Sequence, residues 1–177
     1  MLNEVRTPNN DSIQVLKSDN QVLLGQLQTF VSGLTSDVFQ QAGEPWRSGS
    51  IGAHVRHIIE HYLSVLNGTT FIDYDKRNRD KRVETCAKAA SDGLALVVAK
   101  LDALDSDQAC QVASSSNIYA PATATESSLA RELSFLHSHT IHHMAIIRLL
   151  ALSQEIDVGC DFGKAVSTRK FELNVQF

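Results

Sequence analysis

The chain has 177 residues, of which 43% are hydrophobic and 20% are charged, and its formal net charge at pH 7 is −4. This length and composition are typical of one globular domain, which we expect to span residues 1–177. The acidic balance leaves no basic surface of the kind that nucleic acids require, so it argues against nucleic acid as a main partner.

The N-terminal sequence and the cysteines indicate the cellular compartment of the protein. The N-terminus has no apolar segment of the signal-peptide type, and no apolar run approaches the 18 residues of a membrane span. The three cysteines are odd in number, widely spaced and form no C-x-x-C motif, so neither a disulfide framework nor a zinc ribbon is predicted. We therefore expect a cytoplasmic protein that does not bind membranes.

Apolar residues at spacings of three, four and seven predict three helices in the first part of the chain. The first helix spans about residues 11–33 and packs on a core. The second spans about 51–66, with Ser50 as its N-cap, and the third spans about 83–104. Residues 69–80 between the second and third helices are a charged connector.

The pattern changes after the third helix. Residues 109–123 alternate weakly and contain a Ser-Ser-Ser-Asn turn, which predicts a short hairpin or an extended loop. Thr123 and Glu126 fit a capping box, so we expect the fourth helix over about 126–154, followed by an irregular tail over about 155–177. The predicted fold class is all-α, an up-down four-helix bundle with a short hairpin or extended insertion between helices three and four.

The histidines are confined to two segments of the chain. The seven are His54, His57 and His61 on helix two, and His137, His139, His142 and His143 on helix four. In helical bundles, metal and cofactor sites are built from side chains on facing helices. This clustering is the strongest functional signal in the sequence.

On a helical wheel, His139 and His143 lie in the centre of the apolar face of helix four, whereas His142 lies near its edge and His137 points to solvent. Two imidazoles one turn apart and directed into a core each need a partner, and a divalent metal would satisfy both. The alternative is that carbonyl or carboxylate groups satisfy them, as is usual for buried histidines.

Helix two carries its histidines at i, i+3 and i+7, along the border of its apolar face. Periodicity does not decide which of them points inward, and it slightly favours His54 and His61 over His57. Glu60 flanks this stripe and is a candidate to act as a base or to orient a ligand imidazole. His142 is a candidate for the same roles. The alternative for Glu60 is an exposed helix carboxylate. Two histidines from helix four and one from helix two would make a three-histidine site with open coordination positions.

These residues also carry a resemblance to a known family. Ser50-x6-His57-x2-Glu60 in helix two, together with His139-x2-His142-His143 in helix four, resembles the DinB/YfiT-like superfamily over most of the chain. The resemblance implies that His57, His139 and His143 are the metal ligands. The chain departs from the commoner family pattern after the pair, where Met144-Ala-Ile-Ile replaces a polar Arg-Gly-Gln-type continuation.

The resemblance further implies a function. Family members bind zinc, nickel or similar metals, and several are thiol-dependent S-transferases or isomerases that use a low-molecular-weight thiol. We therefore expect a divalent-metal enzyme with a small-molecule substrate, either a thiol-dependent S-transferase or a metal-dependent hydrolase; the alternative is a non-catalytic metal-binding or stress-related sensor. Arg77 and Arg79 are candidates to contact the carboxylates of the thiol, and a homodimer is expected.

Overall fold

The computed structural model describes residues 10–42, 49–67, 70–115 and 117–175. The elements assigned in this part of the chain are α1 (Asn10–Ser32), α2 (Ser36–Gln40), α3 (Ile51–Leu66), β1 (Phe71–Asp73), α4 (Lys81–Thr85), α5 (Ala87–Asp102), β2 (Ala109–Ser114), β3 (Thr123–Ser128), α6 (Leu129–Leu152) and α7 (Val166–Val175). Among the described residues, no helix combines the length and apolar character that crossing a membrane requires.

The predicted all-α fold class is wrong, because the structure contains a three-stranded mixed sheet. The strand order is β1-β2-β3, with β1 parallel to β2 and β2 antiparallel to β3. Of the described residues, 63% are helical, so the fold is an α/β arrangement in which helices predominate.

The capping-box interpretation of residues 123–126 caused part of this error. Those residues belong to β3, which pairs with β2 along its whole length, from Ser128 opposite Ala109 to Thr123 opposite Ser114. The N-cap of α6 is Ser128, whose side chain accepts a hydrogen bond from the Arg131 N–H. Pairing with β2 outweighs the local preference for a helix start, and a motif within residues 123–126 carries no information about that pairing.

The structure differs from the prediction in three other places. β1 lies in the charged connector, where Ile72 is buried and the Gln111 N–H donates to the Thr70 carbonyl at 2.7 Å. The predicted third helix is two helices, α4 and α5, which meet at Cys86 in an extended conformation. The tail, predicted to be irregular, contains α7.

Four long helices surround the main core. α1 packs against α5 and α6, and α3 packs against the same two helices. Inside the core, the Tyr62 hydroxyl of α3 donates to Asn20 Oδ1 at 2.5 Å, and Asn20 Nδ2 donates to the Leu133 carbonyl of α6 at 3.2 Å. This buried network joins α1, α3 and α6, so the two helices that carry all the histidines lie side by side.

Candidate metal centre

The contact between α3 and α6 brings five imidazole rings into one row. The rings come alternately from the two helices, and neighbouring ring centroids are 5.2, 4.4, 5.1 and 4.5 Å apart in the order His54, His143, His57, His139, His61. The row forms because residues three or four apart lie on one face of a helix, so each helix presents a histidine at every turn.

Three of these histidines can hold a metal ion. The ligand nitrogens of His57, His61 and His139 all lie within 4.8 Å of one another. His57 Nε2 and His139 Nε2 are 3.0 Å apart. Two imidazole nitrogens bound tetrahedrally to one zinc ion would be roughly 3.3 Å apart, so this pair already has nearly the spacing that a divalent metal requires.

The predicted ligand set overlaps with this group at two positions, His57 and His139. His143 lies next to both, with ring centroids 4.4 Å from His57 and 4.5 Å from His139. Its Nδ1 is 2.9 Å from His54 Nδ1. His57 and His139 therefore belong to both candidate ligand sets, and the third ligand is either His61 or His143.

Four imidazoles of the row, those of His57, His61, His139 and His143, are held in their neutral form. Burial is the main cause that lowers the pKa of His57 to about 2, of His143 to about 3 and of His61 to about 4. Burial also lowers the pKa of His139, and repulsion from the charge that His142 carries when protonated acts in the same direction. A metal binds the neutral form, so no ring of this group has to lose a proton near pH 7.

These pKa values predict an acid-sensitive protein in the absence of metal. Histidines titrate near 6.5 in the unfolded chain, so below pH 6.5 the unfolded state binds more protons than the folded state. The free energy of unfolding should therefore be unaffected by these groups above pH 6.5 and should fall as the pH drops from 6.5 towards 4. For His61, which is only 5% exposed, the slope is at most about 1.4 kcal/mol per pH unit.

Urea denaturation of the metal-free protein between pH 7.5 and 4.5 measures this dependence. The same titration of a His61→Gln variant serves as the control and should show a shallower slope, because one buried neutral imidazole is gone. A denaturation midpoint that stays constant between pH 6.5 and 5 would contradict the prediction.

Glu60 and Arg77 form the polar border of the row. Glu60, only 7% exposed, accepts the Asp80 N–H at 2.8 Å and lies 3.7 Å from Arg56 and 4.0 Å from Arg77. It therefore anchors the segment that follows β1, and this segment places Arg77 Nη1 2.7 Å from His61 Nε2.

Two other predicted site residues lie at the surface. Arg79 is exposed and has a positive φ of 51°. His142 is exposed too, with its ring centroid 5.3 Å from that of His143. Of the two candidate arginines, the structure brings Arg77 to the histidine row.

The sequence interpretation missed an aromatic wall beside the histidines. The Tyr74 ring stacks on His61 at 5.2 Å, and the Phe135 ring stacks on His139 at 5.4 Å. The Tyr74 hydroxyl donates to Glu132 Oε2 at 2.6 Å, and Glu132 is fully buried. Burial raises the pKa of Tyr74, so its hydroxyl stays protonated and remains the donor of this bond.

Tyr74, Glu132 and Phe135 also line a cavity of about 360 Å³ between α6 and the sheet. Other lining residues come from β2 and β3, namely Val112, Ser114, Thr125, Glu126 and Ser127. Phe135 could have been identified from its position one turn before His139. Tyr74 and Glu132 carried no such signal, since their meeting depends on the sheet that was not predicted.

Comparison of this chain with protein-family models, with curated proteins and with solved structures found no match in any of the three.

Proposed function

We propose that this protein is an enzyme that depends on a divalent metal, zinc or nickel, and that acts on a small molecule with a low-molecular-weight thiol as co-substrate. The observation that carries this proposal is the group of three imidazole nitrogens, from His57, His61 and His139, within 4.8 Å of one another. Three protein ligands leave a coordination position open, which is the pattern of catalytic rather than structural zinc sites. The resemblance to the DinB/YfiT-like superfamily supports the same proposal.

His57 and His139 would hold the metal in either ligand set, with His61 or His143 as the third ligand. A divalent ion bound there supplies Lewis acidity and lowers the pKa of a thiol or water in its open position. The Tyr74–Glu132 hydrogen bond fixes the ring that stacks on His61, and Phe135 packs on His139, so both ligand rings are oriented by their neighbours.

The choice of an external thiol follows from the cysteines of the chain. Cys110 is buried, and burial raises the pKa of its thiol, which makes it a poor nucleophile. Cys86 is half-buried at the junction of α4 and α5, and Cys160 is exposed beyond α6. None of the three cysteines belongs to the candidate metal-ligand group, so the proposed reaction draws its sulfur from solution: the sulfur forms a bond to an electrophilic carbon, the bond from that carbon to its leaving group breaks, and the thiol proton passes to solvent.

The cavity beside the aromatic wall supports a small-molecule substrate. Its volume of about 360 Å³ lies within the usual range for small-molecule sites. Tyr74 and Phe135 line the cavity and also stack on His61 and His139, but none of the described histidines lines the cavity itself, so these two rings separate a molecule bound there from the candidate metal ligands. Ser114, Thr125 and Ser127 add hydroxyl groups to the cavity lining.

Two measurements test the proposal. Elemental analysis of protein purified without an affinity tag should find about one zinc or nickel ion per chain, as expected for a single three-ligand site. The metal-loaded protein is then incubated with aryl halides and epoxides, with and without glutathione, bacillithiol or mycothiol. Turnover should require the thiol and should be lost in His139→Ala, and it should be retained in His137→Ala.

Each other outcome selects a different function. Turnover without any thiol would indicate a hydrolase that activates water in the same position. Metal binding without turnover of any substrate would favour the metal sensor. Absence of metal in carefully purified protein would mean that the imidazoles are hydrogen-bond partners of one another in a structural core.

A further inference from the structure

A buried carboxylate lines the cavity between α6 and the sheet. Glu132 is fully buried, and its three hydrogen-bond partners among the described residues are all donors. Oε2 accepts the Tyr74 hydroxyl at 2.6 Å, whereas Oε1 accepts the Ser127 hydroxyl at 2.5 Å and Arg131 Nη1 at 2.7 Å. Each carboxylate oxygen accepts up to two hydrogen bonds, so Oε2 has the capacity for one more.

The positive charge that pairs with Glu132 comes from a largely exposed side chain. Arg131 is 63% exposed, although the carboxylate that it contacts is not exposed at all. Its guanidinium also lies over the Phe135 ring, 5.6 Å from the ring centroid. A buried carboxylate needs a cationic partner, but a pair whose cation is mostly in water holds that cation only weakly. The Arg131 guanidinium can therefore be exchanged for another cation.

The rest of the cavity lining favours a cation over an anion. The ring centroids of Tyr74 and Phe135 are 5.6 Å apart, and aromatic rings attract cations electrostatically. Glu126 lines the cavity as well, so its lining contains two carboxylates and only the one guanidinium. An anion that entered the cavity would lie beside Glu132 and would be repelled by it.

We propose that the cavity binds a small organic cation with a planar fork of N–H groups, an amidinium or a guanidinium, which replaces the Arg131 guanidinium on Glu132. Departure of Arg131 leaves one accepting position on each oxygen of Glu132, and a planar fork donates one hydrogen bond to each oxygen of a carboxylate. The inference rests on the proposed function only in placing a small molecule in this cavity. It adds the chemical class of that molecule and does not require the metal.

The test is isothermal titration of the metal-free protein at pH 7.5 with benzamidinium, benzamide and benzoate. These three molecules have nearly the same size and shape, and they differ in charge. Benzamidinium should bind to the wild type about tenfold more tightly than benzamide, because it alone offers charged donors to the Glu132 carboxylate. Benzoate should not bind measurably.

Three variants make the result specific to the cavity. Arg131→Met should bind benzamidinium about fivefold more tightly than the wild type, because no guanidinium of the protein competes for Glu132. Arg148→Met is the matched control on the same helix, since Arg148 Nη1 donates to the Cys160 carbonyl outside the cavity, and its affinity should be that of the wild type. Glu132→Gln should bind benzamidinium no more tightly than benzamide. Circular dichroism of each variant establishes that it is folded.

Benzamidinium that binds the wild type no more tightly than benzamide or benzoate, or not at all, would overturn the cation site. Binding to Arg131→Met that is no tighter than binding to the wild type would overturn the exchange of Arg131 for the ligand. If Glu132→Gln does not fold, the ligand series in the wild type and in Arg131→Met decides the question. Because the titrations use metal-free protein, their failure would leave the metal site standing, and failure to bind zinc would leave this inference standing.

Discussion

Replacing His139 with alanine is expected to lower the affinity of the protein for Zn²⁺ at least about a hundredfold, since each ligand carries a large share of the binding energy of a zinc site. His139 belongs to both candidate ligand sets, and its Nε2 is 3.0 Å from His57 Nε2. Removing the imidazole leaves two ligands of either candidate set, and it also removes the ring on which Phe135 stacks. Isothermal titration with Zn²⁺ measures the change.

His137→Ala provides the control on the same helix. His137 lies one turn before Ile141 and lines a different surface cavity, near α7, so its loss should leave zinc affinity unchanged. Zinc binding by His139→Ala as tight as that of the wild type would reject the site. Comparison of His61→Ala with His143→Ala then identifies the third ligand, because only the variant that removes it should match His139→Ala.

Replacing Gly52 with alanine is expected to destabilise the protein by about 3 kcal/mol or more, at the upper end of what overpacking causes. Gly52 lies in the first turn of α3, where an added Cβ would overlap the Glu84 carbonyl oxygen and come within 2.7 Å of Phe39 Cε1. The carbonyl belongs to the backbone of α4, so relief requires α3 and α4 to move apart. That movement would disturb the helix that carries His54, His57 and His61.

Urea denaturation at pH 7.5 measures the loss as a lower transition midpoint. Gly25→Ala is the matched control, because a Cβ at Gly25 of α1 would meet no atom within 4 Å. Because the space around Gly25 is open, the substitution should stabilise the protein by up to about 1 kcal/mol. Equal midpoints for Gly52→Ala and the wild type would contradict the packing of α4 on α3.

The sequence located the long helices well where capping and periodicity agree. Helix two was predicted over 51–66 with Ser50 as the N-cap, and α3 spans Ile51–Leu66 with the Ser50 side chain accepting the Ala53 N–H. A short hairpin or extended loop was predicted over 109–123, where β2 lies, but β1 and most of β3 escaped prediction because they have little apolar alternation. β3 is the six residues Thr-Ala-Thr-Glu-Ser-Ser, and β1 has only three residues, so pairing between distant segments decides their structure.

The candidate site was predictable only in part for a related reason. Helical spacing places histidines on one face of a helix, which was enough to single out the two segments. Helical spacing does not determine the rotation and offset of α3 relative to α6. These determine whether His61 or His143 approaches His57 and His139. Tyr74, Arg77 and Glu132 reach the site through the β1 segment and the start of α6, whose positions depend on the sheet.

His57 and His139, whose Nε2 atoms are 3.0 Å apart in the candidate site, are 82 residues apart in the chain. The segment between them contains α4, α5 and all three strands. Closing a loop of that length costs roughly 4 kcal/mol of chain entropy, which only the packing of the completed core can offset. The imidazole row therefore depends on the completed core, and neither helix presents it alone. A ligand that bridges α3 and α6 would consequently act as a reversible cross-link, joining binding and folding in a single equilibrium.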